Sequence, residues 1–126
     1  MLLQGKKAII TGGTRGIGFS VAEVFLKNGA SVALFGSRQE TVDKALAQLK
    51  AENPAWEVIG MAPDLTDYAA LDAAFSEVEN RFGRIDILVN NAGISAREPL
   101  YEYTPEAFQR IMDLNVTAVF NGCRAA

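Results

Sequence analysis

Closely spaced glycines occur between Thr11 and Gly18, where the sequence reads TGGTRGIG. Gly12 permits a tight turn, Gly16 lets the backbone approach a phosphate, and Gly18 allows a helix to pack closely on a strand. The N-terminus of a following helix would then point its free N–H groups at a pyrophosphate. The spacing Gly-x-x-x-Gly-x-Gly departs from the commoner Gly-x-Gly-x-x-Gly pattern, and glycines also serve ordinary strand-to-helix turns, so the flanking elements must support this interpretation. We predict cofactor contacts from Gly12, Thr14, Arg15, Gly16, Ile17 and Gly18.

The end of the second apolar run bears on the choice between NADP and NAD. An acidic residue there would bind the adenosine ribose of NAD, but the segment from Phe35 reads FGSR. Ser37 and Arg38 stand at the expected position, and Arg38 and Arg15 could donate charge-assisted hydrogen bonds to a 2′-phosphate. This favours NADP, with NAD possible, since Arg38 could instead be a solvated helix-start residue and Glu40 lies nearby.

Asp64 follows the third apolar run in the segment Pro63-Asp64-Leu65-Thr66. Its carboxylate could accept a hydrogen bond from the amino group of an adenine. An Asx-type turn that caps the following helix explains the same residue equally well. Both interpretations of Asp64 therefore stay open at this stage.

The elements that must position these residues alternate along the chain. Strand-sized apolar runs are predicted at Lys7–Thr11, Ser31–Phe35, Trp56–Met61 and Ile85–Asn90. Helical spacing of apolar residues fills the intervals between them. Such alternation predicts a parallel sheet with right-handed crossovers, and hence a doubly wound α/β (Rossmann) fold. No internal repeat or linker divides the sequence.

The helix patterns come with start and stop signals. Thr66 is the predicted N-cap of the third helix and Gly83 its stop, while Asn28-Gly29 ends the first and Pro54 follows the second. The apolar helix positions are Ile17, Val21, Val24 and Phe25, then Val42, Ala45, Leu46 and Leu49, then Leu71, Ala74, Phe75, Val78 and Phe82.

The last helix is unusual in its apolar character. Thr104-Pro105-Glu106 is a strong helix start, and from Ile111 to Phe120 the helix is apolar on most sides. Such a helix needs partners on both flanks, from the sheet and from another element or subunit. The preceding segment from Ser95 to Tyr103 is predicted as a loop on the ligand side of the sheet.

Asn90-Asn91-Ala92-Gly93 follows the fourth predicted strand, and together with the glycine loop it resembles the short-chain dehydrogenase/reductase family. Asp64-Leu65 and Asn115 also fit that family's pattern, so the resemblance covers essentially the whole sequence. It implies that Asn91, Ala92 and Gly93 line the cofactor beside Asp64 and Leu65. It also implies that Asn115 is catalytic, in a tetrad with Ser, Tyr and Lys, where it helps hold a water that relays protons to the lysine. An amide among apolar neighbours calls for buried hydrogen-bond partners, which fits that role. A structural turn and a structural asparagine are the alternatives.

The family's Tyr-x-x-x-Lys pair is missing from this sequence. Tyr68, Tyr101 and Tyr103 are followed four residues later by Asp72, Pro105 and Ala107. We therefore expect residues 1–126 to be the dinucleotide-binding half of a protein about twice as long, truncated after the fourth strand and its helix, and inactive alone. A natural truncation would instead make the chain a non-catalytic cofactor-binding or assembly module.

Within the family, three stretches resemble 3-oxoacyl-[acyl-carrier-protein] reductases: the segment from Ile9 to Phe19, Asn115-Val116-Thr117 and Phe120-Asn121-Gly122. Bacterial bile-acid hydroxysteroid dehydrogenases are the alternative, since they share Phe35-Gly36 and the stretch from Ala45 to Lys50. Either would transfer a hydride between a nicotinamide cofactor and a small ketone or secondary alcohol. The resemblance also implies a homodimer or homotetramer formed through the final helix.

Composition argues against several other classes. A net charge of −3 gives no reason to expect nucleic acid or an anionic membrane as a partner. No apolar run approaches the roughly 20 residues needed to cross a bilayer, and the N-terminus does not resemble a secretory signal, so we expect a cytoplasmic protein. Histidine is absent and Cys123 is the only cysteine, which argues against a metal site.

Overall fold

The predicted strands form one parallel sheet in a computed structural model that describes residues 1–93 and 100–126. Its four strands lie in the order β3-β2-β1-β4, so the order reverses direction after β1. Ile9 of β1 is in register with Ala33 of β2 and with Leu88 of β4. The strand bounds are β1 (Lys7–Thr11), β2 (Ser31–Phe35), β3 (Val58–Met61) and β4 (Ile87–Val89).

Helices cover both faces of this sheet, as a doubly wound fold requires. Alternate strand residues point to opposite faces: Ile10 and Leu34 pack under the first two helices, whereas Ile9 and Phe35 pack under the third. Each face therefore has its own apolar core. The helix bounds are α1 (Gly16–Lys27), α2 (Gln39–Glu52), α3 (Tyr68–Phe82), α4 (Pro105–Met112) and α5 (Ala118–Ala125). Among the described residues, no helix combines the length and the apolar character needed to span a membrane.

β3 and β4 are shorter than predicted because turns and side-chain contacts take over at their ends. Trp56 N–H donates to the carbonyl of Asn53, which holds residue 56 in a turn before β3. Asn91 N–H donates to the carbonyl of Val89, so the chain turns away from the sheet there. Before β4, Asp86 accepts hydrogen bonds from the Arg84 guanidinium and from the Lys7 N–H, each at 2.9 Å. These two donors hold the pKa of Asp86 below its ordinary value of 3.8.

The buried face of α1 differs in part from the predicted one. Gly18, Ala22 and Leu26 are buried, whereas Ile17 is 76% exposed and Val24 is 53% exposed. The small residues Gly18 and Ala22 bring the helix close to the sheet, and the predicted positions Val21 and Phe25 are partly buried and pack against the core. The predicted stop is confirmed, since Gly29 adopts a φ of +92°. The predicted buried positions Val42, Ala45 and Leu49 of α2 are also confirmed.

The apolar face of α3 is confirmed, but its N-cap is not the predicted Thr66. The carboxylate of Asp67 accepts hydrogen bonds from the N–H groups of Ala69 and Ala70, at 3.0 and 3.3 Å. The Thr66 hydroxyl instead donates to Asp64 at 2.6 Å. The helix thus begins one residue later than predicted, and it ends as predicted at Gly83, with φ +85°. The buried face comprises Leu71, Ala74, Phe75, Val78 and Phe82.

The last helix is interrupted rather than continuous. Thr104 caps α4 as predicted, accepting a hydrogen bond from Ala107 N–H at 3.1 Å, but a π-helical turn at Asp113–Thr117 separates α4 from α5. Before α4, Leu100–Glu102 form a short 3-10 helix, and residues 95–99 of the predicted loop lie outside the described residues. Four large apolar side chains at four-residue intervals form an exposed stripe along this helix: Phe108, Met112, Val116 and Phe120.

Candidate functional site

A cavity of about 580 Å³ opens at the carboxyl ends of the strands, where the strand order reverses between β1 and β4. In open α/β sheets this crevice is the usual place for a ligand. The structure brings together there residues from the four segments that the sequence singled out. The lining consists of Gly12, Thr14, Arg15, Gly16, Ile17, Phe35, Gly36, Ser37, Ala62, Pro63, Asp64, Leu65, Asn91, Ala92, Gly93 and Leu114.

The glycine loop has the backbone that the sequence predicted. Gly12 and Gly16 adopt φ angles of +66° and +58°, a region that L side chains rarely enter. Gly18 does not line the cavity but lies buried beneath the loop, where a Cβ would come within 2.0 Å of the Gly12 carbonyl oxygen. The glycine at 18 therefore allows the helix to pack against the turn, as proposed from the sequence.

The N-terminus of α1 faces this cavity without a side-chain cap. Arg15 occupies the N-cap position in an extended conformation and makes no capping hydrogen bond, and the first turn carries no acidic residue. The first N–H groups of a helix have no partner within the helix, and its dipole favours an anion there. The loop and the helix start can therefore bind a pyrophosphate.

Thr11, at the end of β1, connects the glycine loop to the segment after β4. Its hydroxyl accepts hydrogen bonds from the N–H groups of Asn91 and Ala92, both at 3.0 Å, and donates to the carbonyl of Val89 at 3.4 Å. The side-chain amide of Asn91 then donates to the Gly12 carbonyl at 3.2 Å. These bonds fix the two loops relative to each other, so that both present their backbones to one cavity.

The residues predicted to distinguish NADP from NAD occupy different positions. Arg15 and Ser37 line the cavity. Arg38 lies outside the lining, with a side chain that is 70% exposed and forms an ion pair with Glu40 at 3.4 Å. The pair is exposed at both ends, and such pairs contribute little energy, so the guanidinium can exchange Glu40 for a phosphate at low cost.

Asp64 forms a turn with Thr66 and also lines the cavity. Its Oδ1 accepts hydrogen bonds from the hydroxyl of Thr66 at 2.6 Å and from the N–H of Thr66 at 3.0 Å, which is an Asx-type turn. These bonds lower the pKa of Asp64 below its ordinary 3.8 and favour the ionised carboxylate. The residue also lines the cavity. It does not cap α3, since Asp67 takes that role.

Asn115 lies in the π-helical turn between α4 and α5, and the expectation of a buried amide is wrong for the described chain. The residue is exposed and does not line the cavity. Its Oδ1 does face the segment after β4, since it lies 3.2 Å from the point that a Cβ on Gly93 would occupy. Single π-helical turns inside α-helices often occur at functional sites. The neighbouring Leu114 reaches the cavity.

The sequence analysis missed five lining residues: Phe35, Gly36, Ala62, Pro63 and Leu114. Gly36 had a usable signal, because it directly follows β2. A Cβ on it would approach Cγ2 of Thr14 to 2.5 Å and Cγ2 of Val42 to 2.8 Å, so only glycine lets the glycine loop and α2 lie this close. Leu114 carried no signal, since its position depends on the docking of the last helix.

The sequence pattern of the short chain dehydrogenase family matches residues 6–126. The chain belongs to this family. Its members use a nicotinamide cofactor, NAD or NADP. The uncapped helix start, the closely packed glycines and the cavity at the strand ends fit such a dinucleotide.

Two related proteins illustrate the range of the family. A 3alpha-hydroxysteroid dehydrogenase from Mediterraneibacter gnavus is 57% identical over all of this chain and 50% of its own length. The 3-oxoacyl-[acyl-carrier-protein] reductase FabG from Chlamydia muridarum is 34% identical over 98% of this chain and 50% of its own length.

Solved structures agree with this assignment. A short chain dehydrogenase from Mycobacterium smegmatis superposes with a TM-score of 0.93 at 32% identity, covering 99% of this chain and 51% of that one. A short-chain type dehydrogenase/reductase from Mycobacterium marinum gives a TM-score of 0.92 at 32% identity, over 98% and 49% of the two chains. The present chain thus spans about half the length of these relatives, and the doubly wound fold is shared.

Proposed function

We propose that the full-length protein is an NAD(P)-dependent oxidoreductase that transfers a hydride between a nicotinamide cofactor and a ketone or secondary alcohol. The main support is that Thr11 connects the glycine loop to the Asn91–Gly93 segment by hydrogen bonds. Both segments therefore line one cavity at the start of α1. The pyrophosphate would lie at the uncapped N–H groups of that helix.

The remaining contacts of the cofactor follow from the cavity lining. Asp64, ionised through its turn with Thr66, would accept a hydrogen bond from the adenine amino group, with Leu65 beside the ring. Asn91, Ala92 and Gly93 would contact the ribose, and Asn115 would hold the water that relays protons during catalysis. These assignments extend from the family to the matching positions of this chain.

NADP is the proposed cofactor, ahead of NAD. Arg15 lines the cavity, Arg38 lies just outside it, and Ser37 stands between β2 and α2 where NAD-binding enzymes carry an acidic residue. Two guanidinium groups can bind a 2′-phosphate by charge-assisted hydrogen bonds, which an unphosphorylated ribose cannot match. Glu40 is the nearest competing anion, and its ion pair with Arg38 is exposed.

A hydroxysteroid is the substrate class we favour over the 3-oxoacyl thioester that the sequence motifs first suggested. The 57% identity with a 3alpha-hydroxysteroid dehydrogenase, against 34% with a 3-oxoacyl-[acyl-carrier-protein] reductase, supports this order. The relevant experiment offers the full-length gene product a 3α-hydroxysteroid with NADP⁺ and, separately, an acetoacetyl thioester with NADPH. Turnover of the steroid alone supports the proposal, whereas turnover of the thioester alone supports the 3-oxoacyl reductase that the sequence motifs predicted.

We also propose that the protein assembles into a homo-oligomer through the exposed stripe Phe108, Met112, Val116 and Phe120. Large apolar side chains at four-residue intervals form one continuous helix face, and an exposed apolar face of this kind usually marks a site of contact with another protein surface. Light scattering of the full-length protein tests this. A dimer or tetramer that dissociates when Phe108 and Phe120 are changed to serine supports the proposal, and a monomer contradicts it.

A further inference from the structure

Three consecutive residues of α5 contact two of the loops that line the cavity, those after β3 and β4. The side-chain amide of Asn121 donates to the carbonyl of Leu65 in the β3–α3 loop at 3.4 Å. Gly122 lies so close to Asn90 that a Cβ would come within 2.8 Å of the Asn90 Oδ1. The amide of Asn90 in turn donates to the sulfur of Cys123 at 3.5 Å. One turn of helix thus contacts the segments after β3 and after β4.

Burial makes Asn121 the important member of this group. The residue is 7% exposed, and it is the only buried polar residue among those described between Tyr68 and Ala126. A buried amide needs a partner, because leaving it without one costs the full desolvation penalty. Its donation to Leu65 therefore constrains the β3–α3 loop.

A second contact acts on the same loop from its far side. The guanidinium of Arg124, one helical turn beyond Asn121, lies 4.9 Å from the ring centroid of Tyr68, the first residue of α3. A cation over an aromatic face is attracted to it even at an exposed position. Asn121 and Arg124 thus bind α5 to both ends of the short segment from Leu65 to Tyr68, which follows directly on Asp64.

We propose that Asn121 is a positioning residue for the adenine end of the cofactor. By fixing the Leu65 carbonyl, it sets the position of Asp64 and of the loop backbone against which the adenine would lie. Asn121 does not line the cavity, so it acts through the loop and not by touching the cofactor. The inference rests on the proposed nucleotide site and adds to it a coupling between the last helix and cofactor affinity.

The test compares whole and divided cofactors on the full-length protein. NADPH, the adenine-side fragment 2′,5′-ADP and the nicotinamide-side fragment NMNH are titrated against the unsubstituted protein, Asn121→Leu and Asn121→Asp. Both substitutions remove the donor to Leu65, and the second keeps the shape of the side chain. Asn80→Leu, the same change on the exposed outer face of α3, is the matched control. Thermal unfolding of each protein is recorded alongside.

The expected result is a split between the two halves of the cofactor. Loss of the hydrogen bond that orders the loop should lower the affinity for NADPH and for 2′,5′-ADP roughly fivefold in both Asn121 variants, while the affinity for NMNH changes less than about twofold. Asn80→Leu should leave all three affinities unchanged. Equal weakening of both fragments, unchanged affinities, or failure of both Asn121 variants to fold would each overturn the positioning role. If the unsubstituted protein binds none of the three, the proposed function itself falls.

Discussion

Replacing Gly18 by alanine tests whether the contact between the first helix and the glycine loop prepares the nucleotide site. In an ordinary helix position this change stabilises by up to about 1 kcal/mol, because alanine loses less backbone entropy on folding. Here the new methyl would lie 2.0 Å from the Gly12 carbonyl oxygen and 2.6 Å from Nδ2 of Asn91, whereas ordinary contacts begin at 3.4 Å. The backbone of the loop would have to move by more than 1 Å, since the closest contact is with a backbone carbonyl oxygen and not with the end of a side chain.

Overpacking of this kind costs about 1 to 3 kcal/mol, which outweighs the gain in helix propensity. The displaced groups are the Gly12 turn and the Asn91 amide that joins the two loops, so the same strain opposes the nucleotide-binding geometry. We therefore expect Gly18→Ala to raise the dissociation constant for NADPH roughly 10- to 100-fold. Fluorescence titration of the full-length protein measures this constant, and chemical denaturation measures the free energy of unfolding.

Gly83→Ala is the matched control. Gly83 ends α3 at φ +85°, and nothing lies within 4 Å of the position that its Cβ would take. Alanine there should cost about 1 kcal/mol through the left-handed backbone alone and leave NADPH affinity unchanged. If Gly18→Ala bound NADPH as tightly as the unsubstituted protein, or if both variants weakened it equally, the proposed link between helix packing and the binding loop would be refuted.

Three further changes test other parts of the account. Arg38→Asp should weaken NADPH binding about tenfold without weakening NADH binding, whereas the control Arg81→Asp in the last turn of α3 should change neither affinity. Equal effects on both cofactors would contradict a role of Arg38 in binding the 2′-phosphate. Asp67→Ala should lower the free energy of unfolding by about 1 kcal/mol and Thr66→Ala by clearly less, because Asp67 caps α3; the reverse order would restore the sequence-based assignment. Asp86→Asn should destabilise the protein at neutral pH, and this effect should shrink as the pH falls below 3.8 and through the depressed pKa of Asp86, because the carboxyl adds stability only while it is ionised. A difference constant with pH would contradict this.

Features fixed by local sequence were predictable. β1, the glycine loop and the buried face of α3 depend on a continuous apolar run, on backbone conformations that only glycine tolerates, and on a 3.6-residue period. The location of the cavity also followed, because the carboxyl ends of parallel strands must meet at one edge. Asp64 reached that edge for the same reason.

Other features depended on choices that the sequence does not display. Thr66 and Asp67 are both good N-caps, and the Asx-type turn at Asp64 engages Thr66 and leaves the cap to Asp67. Ile17 and Val24 were wrongly placed on the buried face of α1 because an apolar period does not reveal that Gly18 must touch the Gly12 carbonyl. Leu114 lies in the π-helical turn and Asn121 in α5, and their positions depend on how this part of the chain packs against the sheet. No residue pattern predicted the π-helical turn.

The most direct test of the central claim is a calorimetric titration of the full-length protein with NADPH and, separately, with NADH. The geometry of the Gly12–Gly18 loop, of Thr11 and of the segment after β4 predicts saturable binding at one site per chain, with NADPH the tighter ligand. Saturable binding of neither nucleotide would contradict the assignment of this cavity to a nicotinamide cofactor.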